Sequence, residues 1–476
     1  SGQTCTEYGD LNFNFLPELA DSSLGVSPHT VQFYGLNDPA PGVYGNGDFS
    51  EMKKWMYTQM AAGKREVLYY PETEYWVNFD SPVPLFLPLY GRARFLDLRE
   101  ISKHQASSNS FMQGQSNFDS GFEWGSWLSS VLTARSVYDI VEHESNDLVA
   151  FMGFVEQEIT SRLSRNKTAS IAMARILVRL MDYQYQTMVF GDKKRCQGRR
   201  GNCTAIAYIA GYDMYQDIGA LVPTLNTAVG RVDLRKAVNP EVYMFFEEVV
   251  RPNLLKLEEY LSESLGLFIL HRASVNREAL FLFDEIVDAL NVTYLRTMQV
   301  RSLYEFVGRG TKTRLWDARV ALDKARSCID RRQKKYQVPF AWVASWSKNP
   351  TVYQYRYLWT VKSMYYWWRD EAIATTVRSP SESNSSKTGK FVSPCFRNIE
   401  NVLEELLQFP RISNVDFVLQ LLRDTLHSIP ILNKVTDCLS APKMEPSFGR
   451  NHVLQLNDAS SSLQVGVTFP YLNTRA

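Results

Sequence analysis

The residues best suited to chemistry in this chain are carboxylates set among aromatic side chains. One such cluster runs from Tyr69 to Asp80 (YYPETEYWVNFD), and a second runs from Asn117 to Trp127 (NFDSGFEWGSW). Alternate side chains of an extended segment share a face, which would group Glu72, Glu74 and Trp76. Glu123 sits between Phe122 and Trp124, with glycines at 121 and 125. Two carboxyls in aromatic surroundings suit cleavage of a glycosidic bond. One protonates the leaving oxygen while the other acts as nucleophile or base, at roughly 5–5.5 Å separation in retaining enzymes and roughly 6.5–9.5 Å in inverting ones. An apolar neighbour such as Trp124 favours the protonated carboxyl that a general acid needs. The expected catalytic pair is therefore Glu72 and Glu123, with Glu74 or Asp119 as substitutes and roles within the pair unassigned. Glu74, Trp76, Asp119, Trp124 and Trp127 are the expected substrate contacts. Plainer readings stand beside these: Glu72 and Glu74 as solvated or ion-paired loop acids, and Glu123 as the cap of the helix that follows.

The remaining titratable residues form no familiar motif. The sequence has no GxSxG elbow, HExxH helix, P-loop, GxGxxG or EF-hand loop. Its histidines at 29, 104, 143, 271, 427 and 452 are scattered, so neither a metal site nor a cofactor is expected. A later aromatic stretch, from Trp342 to Trp368, reads mostly as helical core, with Trp346 and Tyr353 as ligand-facing candidates.

The elements that must hold the two clusters are legible from periodicity. Val31 to Leu36 reads as a strand entering a Gly/Pro/Asn loop. Phe49 to Ala62 reads as a helix, with Met52, Trp55, Met56 and Met60 at helical spacing and Gly63 as its stop. Glu66 to Tyr70 reads as the next strand. Val83 to Tyr90 is a third apolar run, irregular because of Pro82, Pro84 and Pro88, and Phe111 to Gln115 is a fourth. Strand–helix alternation of this kind signals βαβ units and a parallel sheet. From about residue 127 the period becomes helical. One stripe is Leu148, Met152, Val155, Ile159 and Leu163; a second is Met173, Ile176, Leu177, Leu180 and Tyr183; a third is Leu280, Phe283, Ile286, Val287 and Leu290. Further helices are expected near 240–265, 313–335, 355–376, 397–408 and 415–427.

Strand, aromatic–acid loop and helix in this order resemble a segment of a (β/α)8 glycoside hydrolase, over residues 30–145. Catalytic residues of such barrels lie where strands end, and both clusters follow a strand in this reading. A complete barrel needs eight strand–helix units, and only three or four are counted. The missing strands belong to another piece of a processed precursor, or the α/β part is a smaller sheet. The expected fold is α+β and mostly α: an N-terminal βα-repeat segment like part of a TIM barrel over 1–145, a large α-helical region over 146–440 and an irregular tail over 441–476.

Bulk properties narrow the setting. Lys+Arg 52 against Asp+Glu 51 gives a net charge of +1, which argues against a general nucleic-acid binder. The longest apolar runs, Val83 to Tyr90 and Ala205 to Tyr212, are far shorter than the ~20 residues of a membrane-spanning helix. The six cysteines include no CxxC pair, and Cys196 and Cys203 bracket a short loop suited to a local disulfide. Sequons for N-glycosylation occur at Asn166, Asn202, Asn291 and Asn384. The opening Ser-Gly-Gln-Thr-Cys reads as a processed chain, with a second chain of the same precursor as an expected partner. These features point to a secreted or lumenal, lysosome-like protein acting on carbohydrate. Its rival is a non-catalytic secreted glycoprotein, either a carbohydrate binder or an assembly subunit. Convergence of Glu72 and Glu123 in one open, aromatic-lined cleft is what separates the two; separation beyond about 12 Å, or burial of either in a salt bridge, counts against the pair.

Overall fold

The computed structural model describes residues 15–16, 19, 21–43, 46–73, 85–118, 125–138, 145–190, 204–210, 233–336 and 360–378. Among these the chain is mostly helical, about 74%, with a small parallel sheet. The strands are β1 (His29–Thr30), β2 (Pro39–Val43), β3 (Asn46–Asp48), β4 (Leu68–Pro71) and β5 (Gly114–Gln115). The helices are α1 (Ser50–Ala62), α2 (Leu89–Ser108), α3 (Ser126–Ser136), α4 (Asp147–Val155), α5 (Ser161–Leu163), α6 (Lys167–Gln184), α7 (Ala205–Ile209), α8 (Pro240–Phe245), α9 (Arg251–Leu270), α10 (Leu280–Arg309), α11 (Lys312–Tyr336) and α12 (Thr360–Val377).

The chain divides into two compact units. The first comprises 1–210 and 259–293, and the second comprises 211–258 and 294–476. The expected boundary at residue 145 is not where this division falls. Helices α3 to α7 belong with the sheet, and the division passes inside α9 and inside α10. The expected tail over 441–476 lies outside the described residues.

In the first unit β1, β4 and β5 form a parallel sheet in the order β1-β4-β5, with His29 opposite Tyr70 and Tyr69 opposite Gln115. Isolated bridges extend the pairing, from Val26 with Val67 at one end to Glu72 with Phe118 at the other. β2 and β3 form a separate antiparallel hairpin. Side chains of β4 alternate, so Val67 and Tyr69 are fully buried while Leu68 and Tyr70 are half-buried. The buried side packs against α1 and α2 through Met56, Met60, Leu98 and Ile101. α1 ends as expected: Gly63 adopts φ 61, and its N–H donates to the carbonyls of Gln59 and Met60.

Several expectations needed correction. The first strand is not Val31 to Leu36: pairing ends at Thr30, and Gln32 turns the chain with φ 52. The run Val83 to Tyr90 is not a strand where it is described. Leu85 to Leu87 is irregular, and α2 starts at Leu89 after Pro88, which cannot donate to a ladder. The parallel sheet of the described residues has three strands, and a closed barrel is not shown by them.

The helical stripes fared better. Met173, Leu177 and Leu180 are buried, as are Phe283, Ile286, Val287 and Leu290. The earlier stripe breaks, because Leu148 is 51% exposed while Val155, Ile159 and Leu163 are buried. The break lies at the start of α4: Leu148 is in its first turn, and Phe151 and Phe154 carry the core there beside Val155, ahead of a π-helical turn over Glu156–Thr160. Phe95 of α2 meets both rings, at 5.1 and 5.0 Å between centroids.

The second unit buries charge as well as apolar surface. Arg301 forms a two-pronged pair with Glu258, at 2.5 and 2.9 Å, and its third nitrogen reaches Glu305 at 3.1 Å. Arg251 and Arg314 also bind Glu305, at 2.6 and 2.8 Å. Toward α12, Arg296 binds Asp370 at 2.7 Å and Gln299 donates to the Trp367 carbonyl at 2.8 Å. This accounts for part of the late aromatic stretch: Trp367 is fully buried core, whereas Trp342, Trp346 and Tyr353 lie outside the described residues.

Candidate functional site

Glu72 occupies the carboxyl end of β4, the middle strand of the parallel sheet. That is the edge where parallel α/β sheets place ligands and catalytic groups. Its backbone continues the ladder: Glu72 N–H donates to the Thr30 carbonyl at 3.0 Å, and Thr73 N–H donates to the Phe118 carbonyl at 2.9 Å. The Glu72 carboxylate turns toward β1. One oxygen accepts the Gln32 N–H at 2.6 Å, and the other lies 3.5 Å from Nε2 of His29. Gln32 itself has a positive φ of 52, in the left-handed region that is uncommon outside glycine.

His29 has its other ring nitrogen committed. Nδ1 is 2.7 Å from the Tyr70 carbonyl, which can only accept, so Nδ1 carries a hydrogen. Nε2 is left facing the Glu72 carboxylate, 3.5 Å away. Glu72 is only 2% exposed. The described residues therefore enclose this carboxylate rather than display it in an open cleft. Beside it Tyr70 and Phe118 are half-buried, their ring centroids 6.3 Å apart in an edge-on arrangement, and His29 tilts over Tyr70 at 5.0 Å. These three rings form a partly open ledge next to the carboxylate.

Beneath the ledge lies a fully buried polar network that fixes β4 to α2. Arg94 donates to the Thr30 hydroxyl at 2.7 Å and to the Glu72 carbonyl at 3.1 Å, and it also donates to the Tyr34 carbonyl. It pairs with Asp97 at 3.2 Å. Asp97 further accepts from the Tyr69 hydroxyl at 2.7 Å and from the Leu36 N–H at 2.7 Å. Burial pushes the Asp97 carboxyl up to about 6, against the opposing pull of Arg94 and its hydrogen-bond donors. Burial also raises the Tyr69 phenol well above its ordinary value. Arg94 thus ties the carbonyl of Glu72 to the helix layer. Sequence reading missed Arg94, Asp97 and His29. The one local signal was an Arg and an Asp three apart in a stretch flanked by apolar residues.

Of the other expected site residues, Glu74, Trp76, Asp119, Glu123 and Trp124 lie outside the described residues. Trp127 is half-buried in the first turn of α3, and its indole N–H is buried with no hydrogen-bond partner among the described residues. Cys196 and Cys203 lie outside the described residues; Cys328 is a buried thiol whose sulfur accepts from Arg331 at 3.4 Å. Asn166 is exposed and caps α6, its side-chain oxygen accepting the Ala169 N–H at 3.1 Å. Asn291 is half-buried in the middle of α10, next to Val292 and Thr293, which are fully buried. Asn202 and Asn384 lie outside the described residues. Among the described residues no group of three or more His, Cys, Asp or Glu could hold a metal, and no helix is long and apolar enough to cross a membrane. Comparison of the chain with family models, with curated proteins and with solved structures finds no match.

Proposed function

We propose that the chain is a glycoside hydrolase-type protein of a secreted or lumenal compartment, acting on carbohydrate through Glu72. The observation that carries this reading is the place of Glu72, at the carboxyl end of the middle strand of a parallel sheet and beside the ring ledge of His29, Tyr70 and Phe118. Aromatic faces of this kind offer apolar area to the C–H surface of a sugar, with polar atoms close by. His29 is more open than Glu72, with its side chain 27% exposed, so displacement of His29 is the route by which a ligand reaches the carboxylate. Glu123, outside the described residues, is the proposed second carboxyl, with roles within the pair unassigned; the burial of Glu72 against His29 weighs against the pairing and is the ground of the reading that follows.

A second reading is favoured by one specific observation. Glu72 is 2% exposed and both its oxygens face internal partners, as a carboxylate with a purely structural task would be. On that reading the chain binds carbohydrate on the ledge without cleaving it.

One experiment separates the two. The full chain is incubated with a panel of labelled oligosaccharides, and both cleavage and binding are recorded. The hydrolase reading predicts cleavage that falls about 100-fold or more in Glu72→Gln. Cleavage unaffected by that substitution overturns the role of Glu72. Binding without cleavage, lost in Tyr70→Ala and retained in Glu72→Gln, establishes the binder instead.

A further inference from the structure

Of the four sequons, two fall on described residues, and the fold treats them in opposite ways. Asn166 lies in the link between α5 and α6. The inner side of that link is held by the turn that precedes α10. Asn276 N–H donates to the Leu163 carbonyl at 2.8 Å, its Nδ2 donates to the Arg162 carbonyl at 3.3 Å, and its Oδ1 accepts the Arg165 N–H at 3.3 Å. The Ser164 hydroxyl donates to the Ser274 carbonyl. With the backbone fixed from within, Arg165, Asn166, Lys167 and Thr168 are all exposed.

The Asn166 side chain divides its two polar atoms. Oδ1 accepts the Ala169 N–H at 3.1 Å and caps α6. Neither Nδ2 nor the Thr168 hydroxyl has a hydrogen-bond partner among the described residues. Capping accounts for an Asn at 166 but asks for no Thr at 168. Glycan transfer uses the atom that capping leaves over. Nδ2 forms a bond to the anomeric carbon of a lipid-linked oligosaccharide, and the bond from that carbon to the pyrophosphate oxygen breaks. Lipid pyrophosphate leaves with the electron pair, and the Nδ2 proton passes to a base of the transferase. Oδ1 remains a carbonyl oxygen, so the cap survives the modification.

Asn291 has the reverse character. It is half-buried within α10, and Val287 and Asp288 one turn earlier are buried, as is Val292. Thr293 is fully buried; its hydroxyl accepts the Phe86 N–H at 2.8 Å and donates to the Ala289 carbonyl at 2.9 Å. Those two bonds account for a Thr at 293 without any glycan. A hydrated glycan rooted at Asn291 would have to displace the packing around it.

We propose that Asn166 is the acceptor of an N-linked glycan and that Asn291 is not. This rests on the lumenal compartment proposed above and not on any hydrolase activity.

The test expresses the full chain behind a cleavable secretion leader in cultured animal cells. Occupancy is read peptide by peptide, by mass spectrometry after enzymatic deglycosylation in heavy-oxygen water. More than about half of the chains should carry a glycan at Asn166 and fewer than about one in twenty at Asn291, because a folded chain tolerates so bulky a group only at its surface. Asn166→Asp keeps the capping oxygen without the amide, and Thr168→Ala keeps Asn166 whole. Each should remove that glycan and leave the circular dichroism spectrum unchanged. An unmodified Asn166 in soluble chain overturns the proposal. So does a glycan at Asn291 in chain with the wild-type spectrum. Protein taken from its native source tests the compartment separately: with Asn166 occupied in the animal cells, a source protein lacking that glycan overturns the lumenal reading and leaves the acceptor geometry standing.

Discussion

The Tyr69 hydroxyl donates to the Asp97 carboxylate across 2.7 Å, joining the middle strand of the sheet to helix α2. Both groups are buried, and Arg94 completes the contact from one turn earlier on the same helix. This link holds in place the strand that ends at Glu72, and its charge state makes it sensitive to pH.

Asp97 should make the stability of the first unit depend on pH in a defined direction. Its carboxyl is raised from 3.8 to about 6 in the folded chain, so between those values the native state holds the proton that the unfolded state has lost. The contribution is fully present below the unfolded value and is lost as pH rises through about 6. Its size is on the order of 3 kcal/mol. Asp97→Asn carries no such proton. The stability of wild type relative to Asp97→Asn should therefore shrink between pH 4 and pH 7, followed by urea unfolding with a probe in each unit. A difference that is flat or grows with pH would contradict the assignment.

Gly125 should tolerate no side chain. Its φ of 67 is strained for any L-residue, and a Cβ there would sit 2.6 Å from the Phe86 ring. Gly125→Ala should cost roughly 2–4 kcal/mol, combining backbone strain with a forced shift of Phe86. Gly125→Asn accepts the left-handed backbone more readily but meets the same ring, so it should recover only part of the loss. Equal stability of Asn and wild type in denaturant titrations would show that Phe86 moves freely.

Arg301 should be a stability determinant of the second unit. Removing it in Arg301→Met strands Glu258, a buried carboxylate that it holds with two hydrogen bonds. The expected cost at pH 7 is roughly 3–5 kcal/mol. Burial already pushes the Glu258 carboxyl up and Arg301 opposes that, with a smaller pull from Arg251, so without Arg301 the protonated form is favoured further. The deficit should therefore diminish as pH is lowered toward 5, and thermal midpoints of the two proteins across that range would reveal it. A deficit independent of pH would place the loss in packing and not in charge.

Much of the local structure was legible in the chain itself. Helical spacing of Met52, Met56 and Met60 with Gly63 behind them predicts α1, and the structure ends that helix on Gly63. The stripes through Met173 and Phe283 are buried, because a 3.6-residue period is written directly in side-chain polarity. The run ending at Tyr70 reads as a strand, and β4 ends at Pro71, so Glu72 lies just past a strand end in both.

What only the tertiary structure decided is which distant groups meet. In α2 the polarity pattern does not reveal that Arg94, Asp97 and Arg99 are buried, since it assigns charged residues to solvent. Burial of Arg94 and Asp97 becomes affordable only when Thr30, Tyr34, Leu36 and Tyr69 arrive from other elements with matching donors and acceptors, and Arg99 meets Asp147 of α4. The enclosure of Glu72 by His29 and Gln32, and the grip of Glu285 on Gly125 from 160 residues away, have the same origin. Local periodicity states which face of an element is buried. It does not state what that face meets, because hydrogen-bond partners are chosen by the packing of elements far apart in the chain.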